Sequence, residues 1–207
     1  MKEISLKNWK RKKHYEFFKR YEYPHFNFCV NMDITRVFEY CKSGKTSLFL
    51  KLIFEIMKIL NSIDEFKTRI RKNKVVIHDT VHPGITVLSK DNLYSNCAID
   101  FCNDFEKFVK EAKVKINEAR KKVILEENQK FRDDFIFVTE IPWVSFTNVT
   151  HPLRSVKNET IPRIAIGKYF TQDEKVLIPV SVQGNHCLMD GYHAGLFYNL
   201  LQIEFNK

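Results

Sequence analysis

Histidine, aspartate and glycine follow one another as H-x-x-x-D-G within residues 184–197, GNHCLMDGYHAGLF, where they are His186, Asp190 and Gly191. An imidazole titrates close to neutral pH, so it can take a proton from a hydroxyl and hand it on. A carboxylate four residues later has two structural roles open to it, capping a helix or pairing with a cation. The flanking residues decide whether the imidazole is held in place. Residues 175–183 alternate as a strand, Gly184 and Asn185 interrupt it, and after Asp190-Gly191 the apolar Leu196, Phe197, Leu200 and Leu201 recur at helical spacing. His186 therefore belongs to a strand-to-helix junction, where a side chain is held rigidly and still opens onto a cleft. His193, inside the helix, is expected to pack or to reach solvent.

Other groupings offer chemistry and fail on their own spacing. Gly44-Lys45-Thr46 ends like a phosphate-binding loop, but Glu39 stands where that motif needs its first glycine, so the stretch reads as a loop and helix start. His78 and His82 have the spacing of a zinc-binding helix, yet they lie in the strand-like VVIHDTVHPG with no glutamate after His78, and no metal is expected there. Glu126-Glu127 and Asp133-Asp134 lie in hydrophilic surroundings and read as helix-end and loop charges rather than an acid/base pair. The five cysteines, Cys29, Cys41, Cys97, Cys102 and Cys187, form no C-x-x-C pair and read as small hydrophobes in a reducing compartment.

The elements that must position His186 follow from composition and period. With 207 residues, 44% of them hydrophobic, the chain can bury one sizeable core, and a single domain over 1–207 is expected. The net charge of +9 is spread among acids, as in residues 106–130, so the surface reads as a solvated basic face suited to small anions, with no nucleic-acid partner. The opening MKEISLKNWKRKKHYEFF lacks the apolar stretch of a secretory signal and no run is long enough to span a bilayer, so a soluble cytoplasmic protein with no membrane partner is expected.

Strands are predicted at 26–34, 74–79, 85–89, 135–139, 162–167 and 175–183. A helix over 7–20 would gather Trp9, His14, Phe17 and Phe18 on one side, and a nearly buried helix over 46–61 would keep Lys51, Glu55 and Lys58 in one polar stripe. This interleaving predicts an α/β or α+β fold, with helices packed on a mixed sheet. Residues 90–103 and 140–161 carry the least pattern and are candidate functional loops.

The string QGNHCLMDGYHAGLFYNLLQ (183–202) resembles the active-site segment of the chloramphenicol acetyltransferase family. The likeness runs over nearly the whole chain, through NWKRKKHYEFF (8–18), VVIHDTVHPGITV (75–87), IPWVSFT (141–147) and GKYFTQDEKVLIPVSVQ (167–183). It implies an α/β two-layer sandwich of helices on a mixed β-sheet. It also implies a homotrimer with each active site in a cleft between subunits, entered from opposite ends by acetyl-CoA, the co-substrate, and by chloramphenicol, the acceptor alcohol. His186 would be the general base. Thr139, replacing the family's usual serine four residues before Trp143, would donate to the tetrahedral oxyanion. Asp190 would pair with Arg11 on the first helix as structural support.

The resemblance further implies an acceptor pocket from Phe17, Phe18, Phe26, Tyr94 and Phe137, and CoA contacts from Lys168 and Tyr169. No metal is required, and Cys187 would merely pack. Phe18 replaces a common tyrosine, Phe137 falls where some relatives are polar, Val149 replaces an aromatic, and Ala165 stands where a threonine often helps bind water. Two other functions fit the same residues: a similar acyltransferase for a different alcohol or thiol, and a non-catalytic protein trapping hydrophobic ligands in the intersubunit cleft.

Overall fold

The computed structural model describes residues 1–44, 46–123, 125, 132–155 and 159–207, so Lys45 of the phosphate-loop lookalike and the carboxylate pair Glu126-Glu127 lie outside the described residues. The chain opens with β1 (Lys2–Ile4) and α1 (Lys12–Phe18), followed by β2 (His25–Asp33), α2 (Thr35–Lys42), α3 (Leu48–Ser62) and the single turn α4 (Asp64–Lys67). The hairpin of β3 (Thr68–Arg71) and β4 (Lys74–Ile77) precedes β5 (His82–Leu88), β6 (Tyr94–Ala98) and α5 (Phe105–Lys121). Then come β7 (Phe135–Glu140), β8 (Arg163–Ile166), β9 (Phe170–Gln172), β10 (Lys175–Asn185) and α6 (Gly191–Phe205).

A seven-stranded sheet runs β2-β10-β8-β7-β5-β6, with β9 added beside β10, and β1-β4-β3 form a separate three-stranded sheet. The large sheet is mixed, as the resemblance implies: β7 is parallel to both β5 and β8, while the other pairs are antiparallel. Its longest strand, β10, changes partner along its length, pairing with β9 through Lys175–Leu177 and with β8 through Val180–Gln183. Pro179 sits at the change, where its missing N–H breaks no ladder bond and its carbonyl still accepts from the Gly167 N–H at 2.9 Å.

One face of this sheet is the core. Met32, Ile136, Val138, Ile164, Ile166, Ile178, Val180 and Val182 share a buried cluster with residues of α2, α3, α5 and α6. The α3 helix is buried nearly all round, as its composition predicts, and its polar stripe is paired: Lys51 with Glu55 at 2.5 Å, and Lys58 with Glu204 of α6 at 2.5 Å. The opposite face is polar over β2 and β10, where the residues alternating with the core set are His25, Asn27, Cys29, Ser181, Gln183 and Asn185, and mixed over β7 and β8, where Phe135, Phe137 and Ala165 accompany Thr139 and Arg163. The segment 141–155 lies across that face. Cys29 Sγ reaches the Phe146 carbonyl, Asn27 Nδ2 donates to the Val149 carbonyl, and the His151 N–H donates to Gln183 Oε1.

Several boundaries differ from the pattern. The α1 helix is shorter than 7–20, and the residue it buries is Tyr15, while Phe17 and His14 are exposed. Arg11 precedes that helix as its N-cap instead of lying on it. Residues 94–98, inside a stretch without pattern, form β6 against β5. His78 and His82 are taken up by protein partners: His78 Nε2 bonds Asp133 Oδ1 at 2.8 Å, and His82 Nδ1 accepts from the Phe101 N–H at 2.9 Å. Asp133 is further gripped by Arg71, and Asp134 by Arg132, so both carboxylates are ion-paired ahead of β7.

Candidate active site

The turn that follows β10 is built on Asn185. Its side-chain Oδ1 accepts from the Cys187 N–H at 2.9 Å, and its carbonyl accepts from the Leu188 and Met189 N–H groups at 2.9 and 3.1 Å. An asparagine satisfies such a turn with its own side chain, which explains its place after Gly184. Gly184 itself leaves no space for a Cβ, which would come within 2.5 Å of Met189 Sδ and 3.0 Å of Phe26 Cζ. The chain can fold back tightly over its own strand end only with glycine there. Cys187 and Leu188 then plug a small cluster with Tyr15 and Val75, against which Trp9 and Phe18 pack, so α1 and the small sheet clamp the turn from one side.

His186, first residue of that turn, donates its main-chain N–H to the Pro24 carbonyl at 2.7 Å. Its ring lies almost parallel to Phe18, with centroids 4.5 Å apart and planes 11° from each other, and Phe26 closes another side at 4.7 Å. These aromatic neighbours remove water from the imidazole. Burial, and next the nearby Arg11 guanidinium, push its pKa below the ordinary imidazole value against the pull of Asp190. The ring is thus biased toward the neutral form that a base requires.

Asp190 and Arg11 meet across 179 residues of sequence. Arg11 Nη1 donates to Asp190 Oδ2 at 2.7 Å, and Arg11 Nη2 donates to the His186 carbonyl at 3.0 Å. One guanidinium therefore ties the carboxylate to the main chain of His186. Asp190 is also the N-cap of α6, its Oδ1 accepting from the Tyr192 N–H at 3.0 Å. Burial alone would raise its pKa, but the hydrogen bond and charge of Arg11 prevail and bring it to about 2. Cys187 is buried and its thiol is pushed up to about 11, first by desolvation, so it is no thiolate at neutral pH.

His193 departs from expectation. Instead of simply packing or reaching solvent, it lies between two carboxylates, with Nδ1 3.0 Å from Asp190 Oδ1 and Nε2 3.3 Å from Glu65 Oε1. Nothing in the sequence pattern signals Glu65, which arrives on the one-turn helix α4.

The remaining sequence-derived residues fall into two groups. Phe18 and Phe26 face His186, and Phe17, itself exposed, meets Phe18 edge-on at 5.1 Å. Thr139, Phe137, Tyr94, Lys168 and Tyr169 lie elsewhere. Thr139 pairs with Ala165, Ala165 with Ser181, and His186 is five residues further along β10. At about 3.4 Å per residue and 4.8 Å per strand, Thr139 and His186 of one chain are roughly 15–20 Å apart.

Phe137 lies across Gly84 and under the Arg163 guanidinium, 5.1 Å from its ring. Tyr94 is exposed on β6, the sheet's far edge. Lys168 and Tyr169 follow β8 at the end of the sheet away from His186. There the Lys168 N–H donates to the Val144 carbonyl at 2.9 Å and Tyr169 packs on Phe38 at 4.9 Å. Trp143 and Val144, both more than half exposed, join them as an apolar ledge that sequence pattern alone did not single out.

The chain matches the family model described as chloramphenicol acetyltransferase over residues 1–202. It is 29% identical over 200 residues to a chloramphenicol acetyltransferase of Proteus mirabilis, covering 96% of this chain and 92% of that protein. It is also 29% identical over 206 residues to one from Staphylococcus aureus, covering 99% and 95%. Among solved structures, a chloramphenicol acetyltransferase superposes with a TM-score of 0.90 at 22% identity over the whole of both chains. A probable dihydrolipoamide acetyltransferase from Listeria monocytogenes superposes with a TM-score of 0.70 at 15% identity, covering 94% of this chain and 88% of that one. These superpositions show a common fold.

Proposed function

We propose that this chain, which belongs to the chloramphenicol acetyltransferase family, transfers an acetyl group from acetyl-CoA to a hydroxyl of chloramphenicol, with His186 as general base. The observation that carries the reading is the state of His186: a desolvated imidazole biased to neutrality, on a main chain tied by Arg11 and Pro24, and faced by aromatic rings fit for an aromatic acceptor. An alcohol is a weak nucleophile at neutral pH, and a positioned base supplies typically ~10²–10⁴-fold. His186 takes the hydroxyl proton as that oxygen bonds to the thioester carbonyl carbon, and Thr139 donates to the resulting oxyanion. When the carbon–sulfur bond breaks, His186 returns the proton to the departing sulfur. No cysteine is acylated, in keeping with the burial of Cys187.

In the same reading the protein is a homotrimer. The separation of Thr139 from His186 within one chain supports this, since the two must meet one thioester carbonyl and a neighbouring copy can bring them together. The ledge of Trp143, Val144, Lys168 and Tyr169 suits the nucleotide end of CoA, with one ammonium for phosphate and flat rings for a purine.

Release of free thiol from acetyl-CoA on adding chloramphenicol tests the proposal. The wild-type chain should release thiol in proportion to acceptor, and His186→Ala should lose at least ~10²-fold in kcat while still binding chloramphenicol. Absence of release from wild type, or turnover in His186→Ala within tenfold of it, refutes the assignment.

A further inference from the structure

We infer that His193 is a positioning residue for the transfer, the middle of a chain Glu65–His193–Asp190–Arg11 that ends on the main-chain carbonyl of His186. The inference rests on His186 being the base of the proposed reaction, and it adds two residues with no part in that reading. Each link is a polar contact of 2.7–3.3 Å. Glu65 Oε1, 3.3 Å from His193 Nε2, is an acceptor only and favours a proton on Nε2. His193 Nδ1 lies 3.2 Å from the Asp190 N–H and 3.0 Å from Asp190 Oδ1: the neutral ring accepts from the amide, closing a capping box in which an imidazole stands where Glu or Gln is usual, and the protonated ring donates to the carboxylate, so either form is tied to Asp190.

Asp190 is thereby fixed at both its amide and its carboxylate. It holds Arg11 at 2.7 Å, and Arg11 holds the His186 carbonyl at 3.0 Å. His193 and Glu65 line a groove of about 770 Å³ with Arg11, Trp9 and His14. The chain of contacts thus approaches His186 from the side of the N-terminal arm.

The groups facing His193 favour this arrangement. Around it are the carboxylates of Glu65 and Asp190 and, beyond Asp190, the Arg11 guanidinium. The contact with Glu65 lowers the glutamate's pKa and raises that of His193, the direction expected when each partner stabilises the other's charged form. Here both ring nitrogens are committed, and at 14% side-chain exposure the ring has little freedom to swing away.

The test uses the full-length protein and two readouts. In thiol-release kinetics with acetyl-CoA and chloramphenicol, His193→Ala should lower kcat by about 10–100-fold with both KM values within about twofold, as a shift of ~1 Å in the base requires. His193→Gln, whose amide oxygen can accept the Asp190 N–H and whose NH₂ can donate to Glu65, should recover to within about threefold of wild type. The second readout needs no turnover: the ring-proton resonances of His186, identified by their absence in His186→Gln. Stacking on Phe18 should hold them upfield in wild type, and His193→Ala should move them toward the values of an exposed histidine.

A kcat for His193→Ala within threefold of wild type, or no recovery in a folded His193→Gln, overturns the inference. If wild type does not acetylate chloramphenicol, the functional reading fails and the resonances alone decide the positioning role, unchanged shifts refuting it. Should His193→Ala not fold, Glu65→Ala carries the test. It should lower kcat about three- to tenfold and move the same resonances part of the way, and the absence of both effects refutes the inference.

Discussion

Asp190→Asn is the perturbation that best separates a structural carboxylate from a chemical one. Asparagine is as good an N-cap as aspartate, so the bond to the Tyr192 N–H survives and α6 keeps its start. What is lost is the charge facing Arg11. The Arg11 side chain is 10% exposed and that of Asp190 31%, and the bond between them is 2.7 Å long. Stranding one member of a fully buried pair costs about 3–5 kcal/mol, and the partial exposure here reduces that to about 2–3 kcal/mol.

For a chain of this length, ~2–4 °C in Tm per kcal/mol gives a fall of about 4–12 °C by thermal unfolding. Turnover should fall by ~10²-fold, because releasing Arg11 frees the His186 carbonyl it bonds at 3.0 Å. Arg11→Val removes both bonds from the other side. The double variant should lose less than the sum of the singles by about 1–2 kcal/mol, since removing both charges strands neither. Additive losses would show that the pair is not energetically coupled. An unchanged Tm in Asp190→Asn with turnover abolished would move the aspartate into the proton transfer itself, as in a His-Asp relay.

Because the imidazole of His186 is depressed by burial and by Arg11, the acid limb of kcat/KM should have its midpoint below the ordinary imidazole value of about 6.5, activity falling as pH drops through it; a midpoint at or above 7 refutes the depressed base. Stability moves in the same direction: between the depressed folded value and the ordinary unfolded one, the unfolded chain binds the extra proton, so acidification through that window destabilises. Thr139→Val, which keeps the branched shape and deletes the hydroxyl, should cost about 10²–10³-fold in kcat with Thr139→Ser near wild type, and a Thr139→Val kcat within threefold of wild type would remove Thr139 from the oxyanion. At the tip between β9 and β10, Asp173 and Glu174 both have positive φ, 48° and 63°, a turn that favours glycine at its second position, so Glu174→Gly should raise stability in urea by about 0.5–1 kcal/mol; a lower midpoint would show that the glutamate side chain matters more than the backbone.

Legibility in the sequence followed the physics of each element. β10 and α6 are plain because β-branched alternation, a Gly-Asn break and an Asp-Gly start coincide within about twenty residues. β6 is not: YSNCA has no apolar alternation strong enough to announce a strand, and it forms because β5 supplies the ladder and α5 covers Cys97. β3 reads TRIR, which pattern assigns to a surface. In the fold Arg69 is fully buried, its guanidinium donating to the main-chain carbonyls of Phe66, Thr68, Asp133 and Phe135. No periodicity encodes that arrangement, since its acceptors come from backbone 64 and 66 residues away as well as from its own neighbourhood. The tie between Asp190 and Arg11 is equally silent in local pattern and came from resemblance. Glu65 is silent in both, and helical spacing assigns His193 only to packing or to solvent.

The same long-range logic governs how the site is divided. β10 carries His186 just past its C-terminal end, while Lys168 and Tyr169 follow β8 near the point where β10 begins. A strand of eleven residues is about 35 Å long, so one chain holds the base at one end of its sheet and the proposed CoA ledge toward the other. Thr139 lies on β7 between them. Phe17, Tyr21, Tyr23 and Phe28, close in sequence to the rings beside His186, are all more than 40% exposed, an aromatic surface larger than an isolated chain keeps uncovered without cause.

On the proposed reading, a single copy presents two half-sites. An acetyl thioester reaching from the ledge of one copy could meet both an oxyanion donor and a base only where the His186 end of another copy is brought against it. In that reading, the partly polar face beneath residues 141–155 and the exposed aromatics near His186 have one explanation. They are surfaces finished by assembly, and catalysis is a property of the interface that the fold of one chain prepares from both ends.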